Sequence, residues 1–239
     1  MHISFTPEVL FHLGPIAVTN SILTTTITSL ILIVSLILAG RRLKVNPLGG
    51  FAGMVEVTCE VVLSEAEQTF GSREAALKYF PLLATLFLFI LADNWLELIP
   101  GFDTIQFGGV PIFRAVTTDL NTTVALALIS VVLTQIYAIQ SLGVVGNIRR
   151  YVSSQPLMSA VGILEGFLEL TRIISFSFRL FGNIFAGDVL LIVVASLLPI
   201  LGPSPFWGLE LFVGFIQAFV FTMLTMVFIA IATTHEQHA

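Results

Sequence analysis

PLMSAVGILEGFLELTRIISFSFRLFGNIFAGDVLLIVVASLLP, residues 156–199, has no proline between Pro156 and Pro199 and no cluster of turn residues. The pattern predicts one helix of about 40 residues, or two nearly continuous ones. At ~1.5 Å rise per residue such a helix is ~60 Å long, about twice the ~30 Å hydrocarbon core. It must therefore tilt steeply, bend or extend into the cytoplasm.

Placed on a wheel at about 100° per residue with Glu165 at zero, Glu169 falls near +40°, Arg172 near −20°, Ser175 near −80°, Arg179 near −40° and Asn183 near zero. These polar residues share a third of the circumference, and the other faces are Leu, Ile, Phe, Val and Gly. Asp188 falls near 140°, off the stripe, and is expected to face a different cavity from Glu165. An arginine near the middle of a span costs about 2.5–3.5 kcal/mol on insertion scales, so it normally faces a cavity or a carboxylate. Arg179 has no carboxylate at i±3 or i±4. It pairs elsewhere in its own chain, snorkels to an interface, or meets a group from outside. Arg172, one or two turns from Glu165 and Glu169, is explained by pairing or snorkelling.

The surrounding chain is of the same kind. Hydrophobic residues make up 56% of the 239 positions and charged residues 10%, against roughly 45–50% and about 25% in soluble domains. Further apolar runs at about 20–39, 79–99, 119–142 and 205–232 are each long enough to span, so with 157–198 the fold class is an all-α polytopic membrane protein of about five membrane helices. The last two form a long, strongly tilted hairpin through Gly202-Pro203-Ser204-Pro205. Residues 1–239 read as one integral membrane domain. Between about 51 and 70, Glu56, Glu60 and Glu67 take one helical face and Val55, Cys59, Val62 and Ala66 the other, which predicts an amphipathic helix at the membrane surface. The Gly- and Pro-rich loop up to about Thr118 reads as a short exposed connection, and the Thr residues of the first span as bonding back to their own helix.

Arg41, Arg42, Lys44, Arg73, Lys78, Arg149 and Arg150 fall on one side of the spans and Arg114 alone on the other. The positive-inside rule puts the larger group in the cytoplasm, the N-terminus outside and the C-terminus in the cytoplasm. The N-terminal run has no basic n-region and is expected to be retained. One cysteine, Cys59, allows no internal disulfide and no CxxC metal pattern. His2, His12, His235 and His238 fit no metal site, no cofactor is called for, and nucleic-acid binding has no support. A phosphate loop of the form GxxxxGK[ST] is absent, so the chain is not expected to be an enzyme by itself.

On the last span, Glu210 and Gln217 are seven residues apart and share a face. Acidic residues on either side of Arg179 point to two aqueous paths that do not meet directly, and Asp93 and Asn94 mark a possible outer entrance. A stand-alone secondary transporter would show two repeated halves, and no repeat is visible. A non-transporting structural subunit would leave the intramembrane Arg, acids and Gln unexplained.

Phe178-Arg179-Leu180-Phe181-Gly182-Asn183-Ile184-Phe185-Ala186-Gly187-Asp188, with Ile163-Leu164-Glu165-Gly166 before it and Gln217-Ala218-Phe219-Val220-Phe221 after it, closely resembles subunit a of the F-type ATP synthase membrane sector. The resemblance extends through Leu91-Ala92-Asp93-Asn94, Pro100-Gly101 and Asp119-Leu120-Asn121. It implies an ion-translocating stator subunit lying against a rotating c-subunit ring, with two offset half-channels that couple ion flow to ATP synthesis. Arg179 then matches the essential arginine. Asn183, Asp188, Glu210 and Gln217 match the arginine region and outer half-channel, and Glu165 and Ser175 the cytoplasmic half-channel. At Glu210 some members carry histidine, and at Asp188 a longer acid or histidine. Implied partners are the c-ring, peripheral-stalk b subunits, the remaining ATP synthase subunits and membrane lipid. The implied location is a bacterial plasma (inner) membrane, and the implied ion a proton by default or sodium.

Overall fold

The computed structural model describes residues 7–14, 16–42, 50–99, 101–102, 105–107, 110–151, 156–198 and 202–233. Lys44, Asn46-Pro47, Gly49, Pro100, Pro199, His2, His235 and His238, all used above, lie outside these.

The chain opens with a hairpin of β1 (Val9–Leu13) and β2 (Ile16–Thr19), paired antiparallel around Gly14 at φ 64. Then come α1 (Asn20–Arg42), α2 (Phe51–Phe70), α3 (Arg73–Glu97), a second hairpin of β3 (Gln106–Phe107) and β4 (Val110–Pro111), α4 (Leu120–Tyr151), α5 (Pro156–Leu197) and α6 (Pro203–Thr233). Among the described residues, five helices (α1, α3, α4, α5 and α6) are long and apolar enough to cross a membrane. The two hairpins were not foreseen, because runs this short carry too little periodicity to separate from loop.

Local chemistry explains the helix bounds. In α1 the hydroxyls of Thr24, Thr25 and Thr26 donate to the carbonyls of Asn20, Ser21 and Ile22 at 2.8–3.0 Å, so threonines that favour strands elsewhere are satisfied inside a helix. Gly71, at φ 71, ends α2 in the left-handed conformation and donates its N–H to Glu67 O at 2.9 Å. One residue on, Ser72 caps α3 by accepting from Ala75 N at 3.2 Å. Asp119 starts α4 by accepting from Asn121 N at 2.9 Å.

The face of α2 that carries Val62 and Ala66 packs into the core, while Glu56 and Glu60 are exposed. Met54, Val57 and Val61 form a third, exposed apolar stripe that the two-face reading missed. Cys59 is half-buried, and burial pushes its thiol above the ordinary range. Because the thiolate is the reactive form, maleimide labelling of Cys59 is expected to be several times slower in the native protein than after denaturation at neutral pH. The gap should narrow as pH rises; equal rates at neutral pH would contradict this.

Helix α4 passes the expected end at Leu142. Gly143, at φ 75 and ψ 163, breaks the helical path. A straight helix would put Gln135 and Tyr151 about 24 Å apart, yet Gln135 Nε2 donates to Tyr151 Oη at 3.1 Å, so residues 144–151 fold back along α4. The connection ahead of α4 also differs from expectation: Ala115, Val116, Thr117, Thr118 and Asp119 are buried rather than exposed, and the stretch is tied to α1 and α3, Arg114 N donating to Thr24 Oγ1 at 3.3 Å and Thr117 Oγ1 to Asn94 Oδ1 at 3.1 Å.

The core lies where α3 and α6 pack together, with α4 and α5 beside them. Leu83, Ile90, Leu180, Phe221, Met226 and Ile229 fill it. Polar pins cross it as well: Ser130 and Thr225 share a hydrogen bond of 2.8 Å between α4 and α6. In an apolar surround such bonds fix one register of neighbouring helices.

Candidate functional site

Two groups of polar side chains lie along the α5–α6 pair. The first is at the end of the bundle where α3 stops, α5 ends and α6 begins. Asn94 is buried on α3 and donates Nδ2 to Gly214 O of α6 at 3.0 Å, while its Oδ1 accepts from Thr117 Oγ1 at 3.1 Å. Gly214 permits this approach, since a Cβ there would come within 3.0 Å of the Asn94 Cβ. One residue on, Trp95 Nε1 donates to Leu211 O at 3.2 Å. Two polar contacts thus lock α3 to α6, and a third ties Asn94 to the connection before α4.

Asp188 of α5 faces Glu97 of α3 and lies within the field of Arg114. Glu210 of α6 lies within the field of Asp188, and its carboxylate rests against Gly187 at a point where any Cβ would collide with it. Arg114 is held from below by Thr118 O, which accepts from Nη2 at 3.2 Å. The structure therefore brings Asn94, Asp188 and Glu210 together as one cluster and adds Glu97 and Arg114. The signal for Arg114 was present in the sequence, as the lone basic residue on a side otherwise rich in acid. Asp93 does not join this cluster: a residue earlier on the helix, it points about 100° away, toward Thr28 of α1.

The second group is on the outward face of α5. Arg179 is exposed, and its Nη2 donates to Ser175 Oγ at 3.5 Å. Among the described residues no carboxylate lies within salt-bridge distance of it. One turn further toward Asp188, Asn183 Nδ2 donates to Gln217 Oε1 of α6 at 2.7 Å. Gln217 is buried, and its own Nε2 has no hydrogen-bond partner among the described residues. Asp188 is nine residues from Arg179, roughly 13 Å along the helix. On the exposed face next to Arg179 are Gly182, whose missing side chain would meet nothing, and Ala186. Small residues there leave room for another helix to approach closely. Leu190, about 20° from Arg179 on the helix, extends the same apolar exposure.

Toward the other end of α5 the stripe divides. Glu165 is half-buried and lies roughly 21 Å from Arg179. Glu169 turns to α4, where its Oε1 accepts from Tyr151 Oη at 2.6 Å and from Gln135. Arg172 sets its guanidinium 4.0 Å from the Phe228 ring centroid. The wheel placed Glu169 with Arg179, but Tyr151 and Gln135 sit on a segment that only the fold-back at Gly143 brings near, so no local spacing could have revealed the contact.

These features define a polytopic α-helical membrane protein that keeps acids, amides and an arginine inside its bundle and holds a second arginine out on an apolar face. The family described as the ATP synthase A chain matches residues 22–230, and the chain belongs to that family. It is 35% identical to ATP synthase subunit a of Moorella thermoacetica over 224 residues, 94% of this chain and 95% of that one. The corresponding protein of Campylobacter jejuni is 34% identical over 238 residues, 98% and 93% of the two chains, and that of Gloeobacter violaceus 35% over 231 residues, 95% and 90%. The chain is accordingly an integral membrane subunit of an ATP synthase complex and is not itself catalytic.

Proposed function

We propose that this chain, acting as a single membrane domain, is the ion-translocating stator subunit that faces the ring of c subunits and conducts ions through two offset half-channels. The observation that carries the reading is Arg179, a charge on an exposed, apolar, small-residue face with no carboxylate within salt-bridge distance among the described residues. A fixed cation in such a place is costly unless an anionic partner arrives from outside, and a ring carboxylate passing in rotation is such a partner.

In this scheme the ion enters from outside through water near Asn94, Asp188 and Glu210, with Asp93 set off to one side of that entrance. It passes the Asn183–Gln217 pair and neutralises a ring carboxylate. After a rotation it leaves to the cytoplasm past Ser175 and Glu165. Arg179 stands between the paths and opposes direct leakage. The ion is a proton in our reading. The α5–α6 hairpin tilts across the bilayer to follow the ring, α2 lies at the cytoplasmic surface, and peripheral-stalk b subunits and lipid hold the other faces. The N-terminus is outside and the C-terminus in the cytoplasm of a bacterial inner membrane, as the distribution of Lys and Arg favours.

Cross-linking tests the face. In a Cys59→Ala background, Asn183→Cys and Ala186→Cys are expected to form disulfides with a cysteine placed one turn from the carboxylate of the ring subunit. Ala218→Cys, at a position 0% exposed, should form none. A ring contact at Ala218 but not at Asn183 would overturn the proposal.

A further inference from the structure

Eight buried side-chain polar atoms lack a hydrogen-bond partner among the described residues, and five of them belong to one region: Glu8 Oε2, Ser21 Oγ, Thr28 Oγ1 and both carboxylate oxygens of Asp93. More than 90% of buried polar groups are normally paired, so five orphans together call for an occupant. Ser21, Thr24 and Thr28 are spaced by three and four residues and share one face of α1. All are at most 3% exposed. Thr28, at the inner end of that face, is opposite Asp93 of α3, itself 2% exposed. At the outer end Glu8 is tied to the start of α1, its N–H donating to Asn20 Oδ1 at 3.2 Å while its carbonyl accepts from Asn20 N at 3.1 Å.

All five of these atoms are oxygens. Carboxylates accept only, and hydroxyls accept or donate, so the set suits a hard cation together with water. An uncompensated buried carboxylate is strongly disfavoured even after relaxation. Arg114 donates to Thr24 Oγ1 and to Thr118 O, neither of them a carboxylate. Asn94, the next residue on α3, is spent on Gly214 and Thr117. A single carboxylate at the inner end matches a single positive charge.

We propose that Asp93 and Thr28 bind a monovalent cation, a proton or a sodium ion, at the inner end of a polar seam between α1 and α3 that leads past Thr24 and Ser21 toward Glu8. Arg114 borders the seam, its backbone N–H donating to Thr24 Oγ1 at 3.3 Å, and the site does not depend on how the α5 face is used.

The test uses the intact purified complex in lipid nanodiscs, with the wild type compared with Asp93→Asn, Thr28→Val and Thr28→Ser. If the cation is sodium, the wild type retains radiosodium that Asp93→Asn loses and Thr28→Val holds several-fold more weakly, with Thr28→Ser close to wild type. If it is a proton, none binds radiosodium. The wild-type infrared spectrum then carries a protonated-carboxyl carbonyl band that disappears in Asp93→Asn and shifts in Thr28→Val but not in Thr28→Ser. Should Asp93→Asn fail to assemble, the Thr28 pair makes the same comparison. Radiosodium binding and carbonyl bands that are identical in the wild type and the variants would overturn the proposal.

Discussion

Arg179→Gln is expected to abolish both ATP-driven pumping into inverted vesicles and ATP synthesis, with the subunit still present at wild-type level in assembled complex. Among the described residues the side chain makes one long hydrogen bond, 3.5 Å to Ser175, and it is exposed, so its removal leaves no buried partner orphaned and creates no cavity. Stability should change by no more than about 0.5 kcal/mol, the usual range for such positions. The functional term is much larger. At ~4 Å and an effective dielectric near 20, a charge pair is worth about 4 kcal/mol, close to a thousandfold in equilibrium terms. On the proposed reading, a passing ring carboxylate would keep its proton without it, and the proposed half-channels would lose the charge that separates them. Arg179→Lys should recover only part of the activity, because an ammonium keeps the charge but not the planar fork. Quenching of a pH-sensitive acridine dye, set beside immunoblots of purified complex, reads both quantities at once. Full pumping by assembled Arg179→Gln complex would refute the assignment.

Gly187→Val should be the second severe lesion, for a steric reason. A Cβ at this position meets the Glu210 carboxylate, and α5 and α6 have packed in register around that contact, with Asn94 bonded to Gly214 a turn away. Overpacking of this kind costs typically about 1–3 kcal/mol, and the displaced Glu210 loses its place beside Asp188. A fall in transport of at least about tenfold is expected, with a lower thermal-inactivation temperature of the complex. Glu210→Ala in the same chain should relieve the clash, so the double variant regains thermal stability although it lacks the Glu210 carboxylate. A stable, fully active Gly187→Val protein would show that the two helices are farther apart than the structure places them.

Much of the architecture was legible because a membrane span has a strong, local signature. Twenty apolar residues in a row do not need a partner to be recognised, and the described helices start within a few residues of the expected spans except α3, which starts at Arg73 instead of near Tyr79. There the Gly71-Ser72 punctuation, a left-handed stop followed by a cap, outweighs hydropathy as the boundary signal. Gly143 misled in the opposite sense: it does end the straight run, but the chain resumes helical geometry at once and returns. The loop before α4 was misjudged because glycine and proline content reports backbone geometry, not burial, and Ala115 to Asp119 are covered by distant elements.

The same division applies to the polar residues. By itself the sequence determined the five spans, the rarity and position of Arg179, the shared face of Glu210 and Gln217, and the motif around residues 178–188, since each depends on spacing within one helix or on an exact run of side chains. Only the tertiary structure decided that Asn94 and Asp93, adjacent in the chain, serve opposite neighbours, that Glu97 and Arg114 join Asp188, that Glu169 leaves the stripe for Tyr151, and that Gly187 makes room for Glu210. Helical periodicity fixes where a side chain points on its own helix. Which helix stands opposite depends on packing among segments up to 120 residues apart, as in the Asn94–Gly214 contact, and no local pattern encodes it.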